Sequence, residues 1–330
     1  MLKKKILIAV NEAEKGCGPA IESVTESCRS IKHALSSSGY SVFTLKIKRN
    51  DFSAKSIIKN KILKFKPDCI FNLFEGFSND SKKEIEFAEI IESTGIRFTG
   101  CRSNALKKCL NKHTIKNTLK LHGVIHPSGF LVKKISDLKN RKIVFPAFIK
   151  PACEDASISI DEKSLVYSMD SLKISLTEKL RNNSEGILIE EFLSGSEYNA
   201  SFIGTNINFE NVGISILDYS NFKDCLPFLS YQAKWNTDTV DYKKLNPSPA
   251  ADIPLRKKQK IIATGNLIGK ILGLSGYYRV DFREKRRNLY VIDINPNPDI
   301  SEDSGFMKQA RVKGWTYVQT INIIVETALS

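Results

Sequence analysis

The sequence predicts a mixed α/β and α+β protein that opens with a parallel, doubly wound sheet. Two patterns carry that reading. Over the first hundred residues, apolar strand segments at 5–10, 42–47 and 68–74 alternate with helical stretches. This is the pattern of βαβ units, whose ligands sit beyond the carboxyl ends of the strands. In the last third, Tyr277–Arg283 and Asn288–Asn295 each alternate apolar and polar residues on either side of a short turn, as the arms of an antiparallel hairpin do.

The basic cluster at Lys3–Lys5 and the apolar run after it look at first like a secretory leader. The apolar part is only five residues long and Glu12 and Glu14 follow at once, so a first β-strand is the better reading. The helix that follows carries Ser23, Ser27, Cys28 and Ser30 along one side and ends near Ser36–Gly39. Asp68–Phe74 is a buried strand, followed by a helix from about Ser81 to Gly95, and the first domain closes near residue 100. A helix over Asn104–Leu121 leads into the turn Gly123–Pro127. Short strands and helices then alternate between 129 and 217, with Ile143–Pro151 and Gly186–Leu193 the clearest strands and Asn199–Gly204 a hairpin arm. Long helices over Pro254–Leu272 and Trp315–Leu329 complete the chain. The expected division is 1–100, 101–189 and 190–330. No internal repeat or low-complexity tract points to a solenoid or scaffold.

At 330 residues the chain can bury one large core or two to three smaller ones. With 42% hydrophobic and 26% charged residues, 18 Gly and 11 Pro, the composition is that of a folded protein. No apolar run approaches the length that spans a bilayer. The seven cysteines are scattered without a CxxC, which fits reduced thiols in a cytosol rather than a disulfide framework or zinc site. The net charge of +14 is compatible with nucleic acid, but the basic residues are mixed with 36 acids and no nucleic-acid-binding motif is present. A nucleic-acid partner is therefore not expected, whereas an anionic small molecule such as a nucleotide fits the charge equally well.

Alternation places Arg279 and Asp281 on one face of the first hairpin strand, and Asp293 and Asn295 on one face of the second. If these strands pair, two carboxylates and an amide oxygen converge beside a guanidinium. That is a hard-oxygen set suited to Mg²⁺ with phosphates completing its shell; the plainer alternative is a solvated hairpin face. The Asn295-Pro296-Asn297-Pro298 turn that follows favours the metal reading. Lys150 closes the otherwise apolar run Val144–Ile149, where a cation either meets an anion such as phosphate or snorkels from a strand end. Glu190 and Glu191 end the next strong strand, before Phe192 and Leu193, with Glu197 beyond a Ser-Gly turn; paired acids there are also compatible with simple exposure. Lys234 lies among polar residues and says little by itself. Gly265–Lys270 resembles a phosphate-binding loop, but it is one residue short and lies within a helix. His122 and His126 have metal-ligand spacing, but Gly123 and Pro127 prevent a helix there.

Taken together and in this order, the segments resemble the ATP-grasp superfamily, in its D-alanine–D-alanine ligase-like branch, over nearly the whole length. The strongest part is Arg279-Val280-Asp281 followed by Asp293-Ile294-Asn295-Pro296-Asn297-Pro298-Asp299-Ile300-Ser301. Phe145–Pro151, Ile187–Tyr198 and Phe98-Thr99-Gly100 support it. The resemblance implies an ATP-grasp fold behind an N-terminal doubly wound domain, with ATP clamped between two α+β subdomains. It assigns Lys112 and Lys150 to the phosphates and Lys234 to the γ-phosphate. Adenine would lie against Glu190, Glu191, Phe192 and Leu193, largely through backbone groups, and the ribose against Glu197. Two Mg²⁺ ions would sit on Asp281, Asp293 and Asn295, and Arg279 would stabilise charge on the transferring phosphoryl group. The implied activity is that of an ADP-forming carboxylate–amine ligase of the cytoplasm, which joins amino acids or small peptides through an acyl phosphate.

The chain departs from the family pattern at several points. Asp293 stands where Glu is usual. The loop that covers the phosphates reads Glu154–Ser159 without a glycine, leaving Ser157 and backbone amides to cover phosphate. Glu75 stands where dipeptide-forming ligases carry His, and Asp299 where a glycine helps form the oxyanion hole. Glu22 aligns with the acid that meets the first substrate's ammonium, and Ser304 with the residue that meets the second substrate's carboxylate. These pieces look like a distinct subgroup, so D-alanine is not carried over as substrate. The alternatives are a D-alanine–D-alanine ligase of cell-wall synthesis and a non-catalytic nucleotide-binding or partner subunit. A carrier protein as acceptor and a homodimer are the partners left open.

Overall fold

Ile6, Leu7, Ile8 and Ala9 are inaccessible to solvent because β1 (Lys5–Asn11) lies inside a parallel sheet covered on both faces. Its neighbours are β2 (Ser41–Ile47), β3 (Cys69–Leu73) and β4 (Arg97–Phe98), in the order β2–β1–β3–β4. Ile6, Ile8 and Val10 meet Ile31 and Leu35 of α1 (Pro19–Ser37) on one face. On the other face, Leu7 and Ala9 meet Ile58 and Ile62 of α2 (Lys55–Leu63) and Phe87 and Ile91 of α3 (Lys82–Glu92). The doubly wound arrangement expected of the first hundred residues is thus present. The structure, a computed structural model, describes residues 3–12, 19–77, 80, 82–153, 159–205, 208–219, 226–230, 248–249 and 253–330.

The stretch expected as one helix over Asn104–Leu121 is two, α4 (Ser103–Leu110) and α5 (Lys112–Leu121). Asn111 between them has extended backbone, and its side chain accepts the Thr114 amide at 2.9 Å. An Asn that caps a new helix start offers the backbone a better partner than continuing the old one. A second sheet contains β5 (Gly129–Val132), β6 (Ala147–Pro151), β7 (Leu165–Val166) and β8 (Ile187–Glu191), in the order β5–β8–β6–β7. It packs on α6 (Met169–Asn182) through Leu172 and Leu176. The strand expected from Ile143 starts only at Ala147.

The largest sheet has the order β11–β10–β9–β12–β13, from β9 (Glu197–Thr205), β10 (Asn208–Leu217), β11 (Ser248–Pro249), β12 (Gly276–Lys285) and β13 (Asn288–Asn295). Its apolar face carries Phe202, Tyr278, Val280 and Phe282 against α4, α5 and α7 (Leu255–Leu272). α7 approaches closely because Gly265 and Gly269 lie beneath aromatic rings; a Cβ at Gly265 would stand 2.1 Å from Phe202 Cζ. The apparent phosphate loop is therefore a helix–sheet packing device. α8 (Gly305–Val312), which the sequence reading missed, and α9 (Tyr317–Leu329) follow. Ile321, Ile324 and Val325 of α9 return to the core beneath β1 and α1. Among the described residues no helix is long and apolar enough to cross a membrane.

Candidate active site

The register of three strands builds the site. Arg279 and Asp281 of β12 lie directly opposite Asn295 and Asp293 of β13. On the other side, Asp281 faces Asn199 and Arg283 faces Glu197 of β9. Because side chains alternate along a strand, these residues share one face of the sheet, opposite the apolar one. Ile292 is the extra residue of a β-bulge, since Asp281 pairs with Asp293 but Phe282 pairs with Val291. Bulges of this kind re-aim side chains next to sites, and here the bulge brings the Ile292 carbonyl to a lysine.

Asp281 is buried and is gripped by Arg279 in a two-point contact of 2.7 and 2.8 Å. Asn295 Nδ2 donates to the same carboxylate at 3.1 Å. Burial alone would lower the Arg279 pKa, but Asp281, Asp293 and Glu197 together outweigh it and raise the value. Asp293 receives Lys112 Nζ at 2.8 Å. Burial pushes the Asp293 carboxyl up, yet Lys112, Lys150 and Arg279 together hold it below the usual carboxylate range.

A second set of charges adjoins this face. Lys150 on β6 donates to the Ile292 carbonyl at 3.0 Å and pairs with Glu190 Oε2 at 3.0 Å. Lys116, one turn after Lys112 on α5, pairs with Glu190 Oε1 and donates to the Pro127 carbonyl at 2.9 Å. Burial pushes the Glu190 carboxyl up, but the two lysines outweigh it and hold it low. Glu191 turns the other way, to Lys285 at 2.6 Å and the Ser128 hydroxyl at 2.9 Å. The amides of Glu191 and Phe192 are taken by the Ser128 and Pro146 carbonyls. Glu197 accepts the Tyr219 hydroxyl at 2.9 Å and has Arg283 at 3.7 Å. Burial raises its carboxyl above the ordinary range, and Arg283 only partly offsets this.

The structure therefore brings together Lys112, Lys150, Glu190, Arg279, Asp281, Asp293 and Asn295, with Glu197 on the same sheet face. Ser304 caps α8, accepting the Met307 amide at 3.3 Å. Asp299 braces the turn after β13 by accepting Ser301 N and Oγ at 2.8 and 2.9 Å. Glu75 is exposed beyond the carboxyl end of β3, its amide held by Asn11 Oδ1 at 3.1 Å. Glu22 lies on α1, its side chain outside the described residues, as are Ser157 and Lys234 altogether. Sequence reading missed Lys116 and the Ile292 carbonyl. The four-residue spacing from Lys112 was the one available signal for Lys116.

Two opposed carboxylates with an amide oxygen are donors of the type Mg²⁺ takes; here Asp281 is held by Arg279 and the Asn295 amide nitrogen, and Asp293 by Lys112, so binding the ion would exchange these contacts. Among the described residues no group of three His, Cys, Asp or Glu forms, so the third donor would be Asn295. A cavity of about 380 Å³ lined by Phe98, Gly100, Arg102, Ser275 and Gly276 lies elsewhere and contains none of these side chains.

A profile for the family described as "D-ala D-ala ligase C-terminus" matches residues 126–326, which include both halves of the carboxylate pair. The chain belongs to this family. D-alanine–D-alanine ligase A of Bacillus cereus is 26% identical over 243 residues, 72% of this chain and 74% of that protein. The ATP-complexed crystal structure of D-alanine–D-alanine ligase from Bacillus anthracis superposes with a TM-score of 0.77 at 19% identity, covering 99% of this chain and 97% of that one. An L-amino acid ligase from Bacillus licheniformis superposes with a TM-score of 0.70 at 17% identity, covering 100% and 75%. The fold of this D-alanine–D-alanine ligase family member is the ATP-grasp fold.

Proposed function

We propose that the protein is an ADP-forming carboxylate–amine ligase that joins amino acids or small peptides through an acyl phosphate. The observation that carries this is the opposed pair Asp281 and Asp293, each clasped by a cation, Arg279 or Lys112. Phosphoryl transfer needs in-line positioning and charge neutralisation more than covalent help, and this face offers both signs of charge in fixed places.

In this reading Lys112 and Lys150 meet the ATP phosphates, with Lys234 at the γ-phosphate and Ser157 over them. Adenine lies at Glu190–Leu193. Because the Glu191 and Phe192 amides are already bonded, the backbone contacts fall to their carbonyls and to Leu193. Glu197 receives the ribose. Asp281, Asp293 and Asn295 hold Mg²⁺, two ions in the full site, which when bound would neutralise phosphate charge. Arg279 is directed at the transferring group and the tetrahedral centre that follows. Glu22 takes an ammonium and Ser304 a carboxylate, while Glu75 and Asp299 add acid at the substrate end. We propose three domains, 1–100, 101–189 and 190–330, a division that the presence of three sheets supports, although its second boundary falls inside β8. In this reading the enzyme acts in the cytoplasm. A carrier-borne acceptor is the variant that the +14 charge favours, and salt-sensitive association would reveal it.

D-alanine–D-alanine ligation is the second reading, favoured by the names of the relatives. Glu75 and Asp299 speak against it. Release of ADP and phosphate, screened over pairs of D- and L-amino acids, separates the two. A response confined to D-alanine establishes the second reading, and a response to other pairs the first. No response from any pair contradicts both.

A further inference from the structure

We propose that Lys116 is the permanent counter-ion of Glu190 and thereby frees Lys150 to turn to the phosphates of a bound nucleotide. The inference rests on the nucleotide reading given above.

Glu190 is 5% exposed and both its oxygens face lysines, Lys116 at Oε1 and Lys150 at Oε2. Lys116 and Lys150 are 8% and 7% exposed. One buried carboxylate with two buried ammonium groups leaves a positive charge uncompensated within the trio, an arrangement that is costly unless an anion joins it. The two lysines are not equivalent. Lys116 lines one small cavity with Lys112, Lys150 and Asp293 but is tied back to its own helix by its bond to the Pro127 carbonyl in the turn that follows α5. Lys150 points to β13, where the bulged Ile292 carbonyl receives it immediately before Asp293. Burial apart, Lys112, Lys150 and Arg279 are the strongest influences on Asp293. Lys150 is therefore the lysine at the boundary between the buried trio and the phosphate face.

When phosphates arrive, Lys150 can leave Glu190 only if the carboxylate stays neutralised. Lys116 meets that condition without moving. Burial and the neighbouring Lys150 charge lower its pKa, with Glu190 opposing the change; the direct contact with Glu190 Oε1 is what makes it the counter-ion. Without Lys116, the cation left to Glu190 among the described residues would be Lys150, and phosphate would have to compete with a buried carboxylate for it. Lys116 is thus a positioning residue that acts on the nucleotide through Glu190 and Lys150.

The test is calorimetric titration of the full-length protein with ATP and Mg²⁺, and separately with adenosine, which lacks phosphates. Wild type is read first. If it binds no ATP, the nucleotide reading itself falls and this proposal falls with it. Lys116→Met should weaken ATP binding about tenfold, the scale of coupling through residues that do not touch the ligand, and leave adenosine binding unchanged. Lys116→Arg should bind ATP as wild type does. Lys116→Met combined with Glu190→Gln should regain the ATP affinity of Glu190→Gln alone, because no carboxylate then holds Lys150. If Lys116→Met does not fold, Lys116→Gln serves in its place, since it can still donate to the Pro127 carbonyl. Unchanged ATP binding, equal weakening of ATP and adenosine, or no recovery in the double variant would overturn the proposal.

Discussion

Glu197 and Asp293 both face cations, yet their surroundings push the two carboxyls in opposite directions. Glu197 is raised because burial and Asp281 outweigh Arg283. Asp293 is lowered because Lys112, Lys150 and Arg279 outweigh burial. Linkage turns these directions into opposite pH signatures. A raised carboxyl contributes stability that is fully present below its unfolded value of 4.5 and is lost as pH rises through the folded value. A lowered one contributes stability present above its unfolded value of 3.8 and lost as pH falls through the folded value. The thermal midpoint of wild type minus that of Glu197→Gln should therefore grow as pH falls from 7 towards 4.5. The corresponding difference for Asp293→Asn should shrink as pH drops below 3.8. Parallel curves would contradict both assignments. Asp281→Ala should lower turnover by about a hundredfold or more, since removing one preorganised electrostatic partner costs that much, and ADP release measures it. At this scale the sequence was legible where side chains alternate: period two put Arg279 with Asp281 and Asp293 with Asn295, and the pairing of the two strands joins them on one face. Lys116 was not legible, because nothing local says which buried acid a lysine will meet.

At the level of elements, α5 is the helix that matters most, since it delivers Lys112 and Lys116 from one face. Its start depends on Asn111, whose side chain caps Thr114. Asn111→Ala should cost about 1 kcal/mol of stability, which circular-dichroism melting would read as a small fall in the thermal midpoint. ATP affinity should fall with it, because the first turn of the helix carries Lys112. An unchanged affinity would show that Lys112 does not depend on the cap. The continuous helical periodicity over 104–121 hid this break, since the apolar pattern of α4 runs on into α5 and only a cap interrupts it. The hairpin of β12 and β13 was legible except for its bulge and the ends of β12, which runs from Gly276 to Lys285. One extra residue at Ile292 leaves the alternation of Asp293 and Asn295 intact and changes only what lies before them.

Over the whole molecule, the first domain is fastened to the turn after β13. Asn297 accepts the Cys101 amide at 2.9 Å and donates to Glu84 at 2.9 Å. Gly100 fits there only as glycine, with φ +88° and an added Cβ 2.6 Å from Asn297 Oδ1. This joint relates Glu22 and Glu75 of the first domain to Arg279 and Ser304. Asn297→Ala should therefore leave ATP affinity within about twofold while lowering turnover about tenfold or more, because misplacing one substrate by an ångström is costly. Equal loss in both would place the fault in the nucleotide site instead. The parallel opening sheet was readable from its alternation of strands and helices. The return of α9 to the core of that sheet was not, because apolar periodicity marks a buried face without naming what covers it. The central claim, that a carboxylate is phosphorylated and then captured by an amine, is tested most directly by isotope transfer. With the amino-acid pair that supports turnover, ¹⁸O placed in the carboxylate of the first substrate should appear in the released phosphate, with one ADP formed per amide bond. ADP release with unlabelled phosphate would contradict the claim.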